Sequence, residues 1–297
     1  MDGLDQAVEE ARAALAQRYP TLVDTTSWTK EAGQISVSGG VLVAAQAKLY
    51  SDMVGAALGV EPPRPAVLSA LDADWKTTEW RSLPPGVLVD LHRTHAGGDR
   101  QTQWVGPATL RWFAARDQHA LVQLPDGTLG WVMNSGLTPC EPDTDPWAHI
   151  RRPAFGRAVT VIATIESVLG PAHERLGNPY LWGGNTSAAA DCSGLVQDLI
   201  FSTCGVLLPK HTGDQRRMGA RVAAGAIAPG DLVFVRGNDQ GVAHVGLALP
   251  ARRAEGVVVV HSCLTKNRVM EEPLPVFLAR YRFTAARRPV LWGGTGS

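Results

Sequence analysis

Residues 140–146 read CEPDTDP, with two prolines, three acids and no apolar run. Such a stretch suits neither a helix interior nor a central strand, because proline removes a backbone donor and nothing in it asks to be buried. It reads as a linker, so the chain divides into two differently patterned regions around it. With 297 residues there is room for two units, each with its own core.

The first region begins with MDGLDQAVEEARAALAQRYP, where Ala7, Ala11 and Leu15 recur at helical spacing. Residues 1–33 are expected to be this helix and a short linker. ISVSGGVLVAAQAKLY, from Ile35 to Tyr50, reads as strand-like, and EPPRPAVLSALDADWKTTEW as a proline-rich loop with a short helix. PGVLVDLHR, ATLRWFAA, HALVQLP and GTLGWVMN then read as short strands separated by turns such as AGGD and PDGT. Frequent turns between short strands predict a small β-barrel with a helical insertion over 34–142.

The second region, 155–288, is patterned as helices followed by an antiparallel meander, an α+β arrangement. RAVTVIATIESVLG and PAHERLGNP show helical periodicity, with Gly177 as a stop. Leu195, Val196, Leu199 and Ile200 share one face of a helix expected over 192–204 and ending at Gly205. PGD at 229–231 leads into the strand LVFV, RGNDQG at 236–241 turns back into AHVGLAL, and AEGVVVVHS and NRVMEE supply two more strands.

Composition removes several function classes. The hydrophobic fraction is 45% and the charged fraction 19%, which is ordinary for a globular chain. Lys+Arg and Asp+Glu both total 28, so there is no basic excess with which to hold nucleic acid. No apolar run reaches the ~18 residues of a spanning helix, and the start has no basic and apolar leader. The expectation is a cytoplasmic protein without membrane insertion, or a secreted or wall-associated one if a signal has been trimmed. The four cysteines, Cys140, Cys192, Cys204 and Cys263, are scattered and do not form a disulfide framework. His92 with His95, and His261 with Cys263, lack the second close pair that a structural zinc site takes. No metal and no organic cofactor is expected, and the oligomeric state is left open.

Chemistry concentrates in NPYLWGGNTSAAADCSGLVQ, residues 178–197. Cys192 stands at the expected helix start, where unpaired N–H groups and the helix dipole favour a thiolate. A buried structural thiol is the plainer reading of a lone cysteine. A nucleophile also needs a base from elsewhere in the fold. In HVGLAL, Val245, Leu247 and Leu249 fall on one strand face, and His244, Gly246 and Ala248 on the other. His261 ends the next strand, where an antiparallel neighbour would meet His244 and orient it.

YLWGG, DCSGLV, LPK with Gln215 shortly after, PGDLVF, HVGLAL and VVHS, in that order, resemble the NlpC-type papain-like cysteine peptidases of bacterial cell-wall metabolism. The resemblance implies a catalytic Cys192, a base His244 and an orienting His261, on a papain-like α+β fold with the cysteine helix packed on the sheet. It implies that Tyr180 lies near the oxyanion and that Asp191, Ser193 and Trp182 bind substrate, the first two at its amino end. The implied substrates are peptidoglycan stem peptides or muropeptides, cut between γ-D-glutamate and a diamino acid, diaminopimelate or lysine, in murein peptide recycling or wall turnover. DRQTQWVGPATL and VQLPDGTLGWV resemble the bacterial Src-homology-3-like barrels fused to such peptidases, which wall off the cleft and select a free N-terminal L-alanine. This chain has Pro107 where those relatives usually carry Glu, Leu129 where they often carry an aromatic, and His211 where an acid is common. The alternatives are an amidase or acyltransferase on the same Cys–His pair, or a module that only binds wall peptide.

Overall fold

A computed structural model describes residues 3–19, 23–237, 243–252 and 256–293. Most of the RGNDQG turn and the first residues of AEGVVVVHS lie outside the described residues.

Helix α1 (Gly3–Arg18) buries Leu4, Ala7, Val8, Ala11 and Leu15 along one stripe, as its spacing predicts. β1 (Ser27–Glu31) and β2 (Gln34–Ser38) form a hairpin, followed by the short β3 (Gly40–Val41). The strand expected over residues 35–50 stops there. Val43 is extended, its N–H donates to Gln46 Oε1 (3.2 Å), and α2 (Ala44–Leu58) begins. Helix wins because AAQAKL is made of strong helix formers and Ala47, Tyr50 and Val54 repeat at helical spacing. These three join Leu4, Val8, Ala11 and Leu15 in one apolar cluster, so α1 is packed on α2 rather than set apart by a linker.

After β4 (Ala66–Val67), which pairs with β3, come β5 (Glu79–Leu83), β6 (Leu88–Thr94), β7 (Gly97–Val105), β8 (Ala108–Arg116), β9 (His119–Gln123), β10 (Leu129–Met133) and β11 (Thr138–Cys140). These seven pair antiparallel in the order β11-β5-β8-β9-β10-β6-β7. Leu83, Leu91, Leu110, Val122, Leu124 and Val132 form their shared core. PDGT turns β9 into β10, with Gly127 at φ 91 and Asp126 accepting from Thr128 N–H. The linker-like stretch is fastened down at its far end. Trp147 is 4% exposed, meets Trp80 edge-on, and donates from Nε1 to Thr109 O (2.9 Å).

In the second region, residues 157–170 are not one helix. β12 (Val159–Thr160) pairs with a terminal strand, a 3₁₀ turn covers Ile165–Val168, and α3 is only Leu169–Glu174. Val159, Thr160, Val161 and Ile162 are β-branched in succession, which favours extended backbone over helix. α4 (Cys192–Cys204) and α5 (Thr212–Gln215) follow, then β13 (Ala220–Val222), β14 (Leu232–Arg236), β15 (Ala243–Pro250), β16 (Val257–Cys263), β17 (Arg268–Pro273), α6 (Leu274–Arg280), β18 (Arg282–Arg288) and β19 (Val290–Leu291), the partner of β12. The sheet order is β13-β18-β14-β15-β16-β17. Leu232, Phe234, Val245, Leu247 and Val260 face α4, whereas Val233, Val235, Ala248 and Val259 face α6 through Phe277. The architecture is α+β, with helices on both faces of an antiparallel sheet. Among the described residues no helix is long and apolar enough to cross a membrane.

Candidate active site

Helix α4 starts where the sequence places it, because Asp191 caps it. The Asp191 backbone is extended and its Oδ1 accepts from Gly194 N–H at 2.7 Å. A Cβ on Gly194 would lie 2.0 Å from Gly184 O, so the preceding loop can lie on the helix start only because residue 194 is glycine. Cys192 thereby occupies the first helical position, 8% exposed. Its sulphur lies 3.9 Å from Thr212 Oγ1 and against the backbone N–H of Val245, the residue after His244. Burial, and then the Asp191 charge, push the thiol up to about 11. The Val245 N–H, Lys210 and Thr212 pull it back in part. The helix start was expected to lower this pKa, but desolvation outweighs it.

The two histidines stand on the neighbouring inner strands β15 and β16. His244 Nε2 is 2.9 Å from His261 Nδ1, and His261 Nε2 is 3.1 Å from Glu272 Oε2. Arg280 Nη1 holds the other oxygen of Glu272 at 2.8 Å. Phe277 and Tyr281 pack against both imidazoles, with ring centroids 5.0–6.3 Å away. Burial lowers His244 to about 4, with Asp191 opposing. It lowers His261 to about 3, helped by the charges of His244 and Arg280. A raised thiol and lowered imidazoles both favour an uncharged thiol and imidazole over an ion pair. Gly246 is needed for this arrangement, since a Cβ there would sit 2.3 Å from Val259 Cγ1 and 3.2 Å from His261 Cβ.

The model of the NlpC/P60 family matches residues 177–288. These residues are an NlpC/P60 domain. The "Probable endopeptidase p60" of Listeria seeligeri is 38% identical over 80 residues, which are 27% of this chain and 15% of that protein. The "Gamma-DL-glutamyl hydrolase" of Bacillus subtilis is 38% identical over 88 residues, 29% of this chain and 21% of that protein. A solved NlpC/P60 family protein from Bacillus cereus aligns over 89% of this chain and 79% of its own, at 19% identity and TM-score 0.37. The chain thus spans a small part of the length of the curated relatives named here.

Within the NlpC/P60 domain, two residues expected to hold substrate also bond within the chain. The Asp191 carboxylate is engaged in five hydrogen bonds, from Gly183 N–H, Ser193 Oγ, Gly194 N–H and, twice, Lys210 Nζ. Lys210 is 1% exposed and is the cationic partner of this carboxylate within the chain. Ser193 is 5% exposed, with its hydroxyl turned to Asp191. Both tie together the loop and helix start that carry Cys192. Tyr180 lies near enough to Cys192 to feel its charge. Burial, and then the charges of Cys192 and Asp191, raise its phenol. Trp182 is 53% exposed, donates from Nε1 to Asp99 Oδ1 (3.1 Å), and accepts at its carbonyl from Arg100. The β6–β7 hairpin therefore meets the loop before Cys192. Pro107 lines a separate groove of about 900 Å³, walled by Trp104, Trp147 and Phe201 but not by Cys192, His244 or His261. Leu129 packs with Leu42, Leu121 and Trp131, and His211 is partly buried beside Lys210.

The sequence reading gave no role to Glu272, Lys210, Thr212 or Ser262. Glu272 pairs in register with Val259, so it shares the face of His261 one step along the ladder. Counting the period-2 pattern of NRVMEE against VVVVHS would have exposed it. Ser262 Oγ donates to Ala190 O (2.7 Å) and ties the histidine strand to the loop before Asp191.

Proposed function

We propose that the chain is a cysteine peptidase of peptidoglycan stem peptides, cutting between γ-D-glutamate and a diamino acid, in murein peptide recycling or wall turnover. The observation that carries the reading is a thiol at a helix start, lying against the amide that follows His244, with that imidazole backed by His261. His244 Nε2 is committed to His261, so Nδ1, the ring nitrogen nearer the main chain, is the one available to the sulphur. The Cys192 sulphur attacks the scissile carbonyl while its proton passes to His244. The imidazolium gives that proton to the leaving amine, and water then hydrolyses the thioester. In this reading the Cys192 N–H at the helix start and the Tyr180 hydroxyl meet the oxyanion. The names of the Listeria and Bacillus relatives support an endopeptidase and a γ-glutamyl bond. In this reading the sheet of β5–β11 is a Src-homology-3-like wall, and its β6–β7 hairpin, with Asp99 and Arg100 on Trp182, bounds the peptide site.

The test is mass spectrometry of L-Ala-γ-D-Glu-diaminopimelate, and of intact muropeptides, after incubation with wild type and Cys192→Ala. Release of L-Ala-γ-D-Glu by wild type alone supports the reading. Cleavage at a different amide or transfer of an acyl group would replace it with an amidase or acyltransferase. Tight binding without turnover by both proteins would replace it with a binding module.

A further inference from the structure

The segment from Glu272 to Tyr281 wraps the histidine pair from one side. It supplies a carboxylate 5% exposed, the arginine that neutralises it, and two aromatic faces against the imidazoles. A carboxylate can only accept, so the hydrogen bond at 3.1 Å requires a proton on His261 Nε2. A neutral imidazole carries one N–H, so His261 Nδ1 then presents a lone pair. That lone pair, 2.9 Å away, requires a proton on His244 Nε2 and leaves His244 Nδ1 bare. A base must be bare at the nitrogen that takes the proton. Arg280, bonded to the other Glu272 oxygen, offsets the charge, so the carboxylate directs protons without drawing an extra one onto the imidazoles.

We propose that Glu272, held by Arg280, is a positioning residue that fixes both imidazoles as Nε2–H tautomers and so keeps His244 Nδ1 free for the thiol proton. This rests on the reading of Cys192 and His244 as nucleophile and base.

Glu272→Gln tests it sharply. Arg280 has only donors and takes the new amide oxygen, which turns the amide NH₂ toward His261 Nε2. Both tautomers then invert, and His244 Nδ1 carries a proton. The expected result is a kcat at least about 100-fold lower, the scale seen when an orienting group is changed to its amide or a ligand's support is lost. KM should stay within about twofold of wild type, since no contact with substrate changes. Adding Arg280→Met to Glu272→Gln frees the amide to rotate and should restore part of kcat. Long-range ¹H–¹⁵N spectra of histidine-labelled protein, assigned with His244→Ala, read the tautomers without substrate. Wild type should show both histidines protonated at Nε2, and Glu272→Gln should show both at Nδ1. Protonation of wild-type His261 at Nδ1, or a Glu272→Gln protein with wild-type tautomers and turnover, overturns the proposal. The wild-type spectrum decides even if the variant does not fold. A wild type that shows these tautomers but cuts no stem peptide overturns the substrate reading and leaves the tautomer assignment standing.

Discussion

Two carboxylate–cation pairs flank the candidate site, and they are put to different uses. Asp191 with Lys210 is sealed, its oxygens filled by backbone and side-chain donors, and its effect is to fix the loop and helix start that carry Cys192. Glu272 with Arg280 is half open, with the arginine 41% exposed, and one carboxylate oxygen is spent on an imidazole. The first pair governs where Cys192 stands. The second governs which atom of the neighbouring ring holds a proton. Two buried acids near Cys192 and His244 thus differ in what fills them: backbone and a lysine for Asp191, an imidazole and an arginine for Glu272.

The comparison can be broken most severely at Lys210. Lys210→Met leaves Asp191 buried and unpaired, a loss of about 3–5 kcal/mol for a sealed pair. Thermal or urea denaturation should show it as the least stable variant named here. A stability within about 1 kcal/mol of wild type would mean that the cap alone holds the loop. Gly246→Ala comes next. The added methyl meets Val259 and the Cβ of His261, so it should destabilise by about 1–3 kcal/mol through overpacking and lower turnover as well. Denaturation and kinetics run together would separate the two effects, and unchanged turnover would detach His261 from the reaction. Glu272→Gln should cost much less stability than Lys210→Met, at most about 1 kcal/mol for a pair with one partner in solvent, which sharpens the contrast between a sealed and a directing pair.

The histidines add a pH dependence with a definite sign. Their folded values, about 4 for His244 and about 3 for His261, lie below the ordinary 6.5. The unfolded chain thus binds more protons as the solution is acidified. Their contribution to stability is complete above pH ~6.5 and is lost as pH falls toward 4 and then 3. The melting temperature should decline across that window, and declining less in a His244→Gln, His261→Gln double variant would assign the effect. Trp182→Ala should be the mildest change, within about 0.5–1 kcal/mol, because an exposed indole gives up one hydrogen bond. A larger loss in the same denaturation experiment would show that the hairpin contact holds the loop before Cys192 in place.

The parts legible in sequence were those governed by local rules. Helix α4 and its Gly205 end, at φ 68, followed from periodicity and cap chemistry, and so did the strands β14 to β17. The two histidines face each other because β15 and β16 are antiparallel neighbours, as their alternation predicted. Residues 41–50 misled because Val41, Leu42 and Val43 suit a strand, whereas their continuation packs as a helix on α1. The Asp191–Lys210 pair was not legible because Lys210, nineteen positions later, is brought to Asp191 only by the folded loop. Glu272 was missed because a glutamate in an edge strand reads as solvent-facing until the register against β16 is known.

The meeting of Gly183 with the hairpin has a consequence for how such a protein can be reassembled. A Cβ at residue 183 would stand 2.6 Å from Arg100 O, so a main-chain atom of one region occupies the place of a side chain in the other. The halves are cut to each other like two pieces of joinery. A front half transplanted from another protein would need its own backbone at that spot, or the loop leading to Cys192 would be left without its abutment.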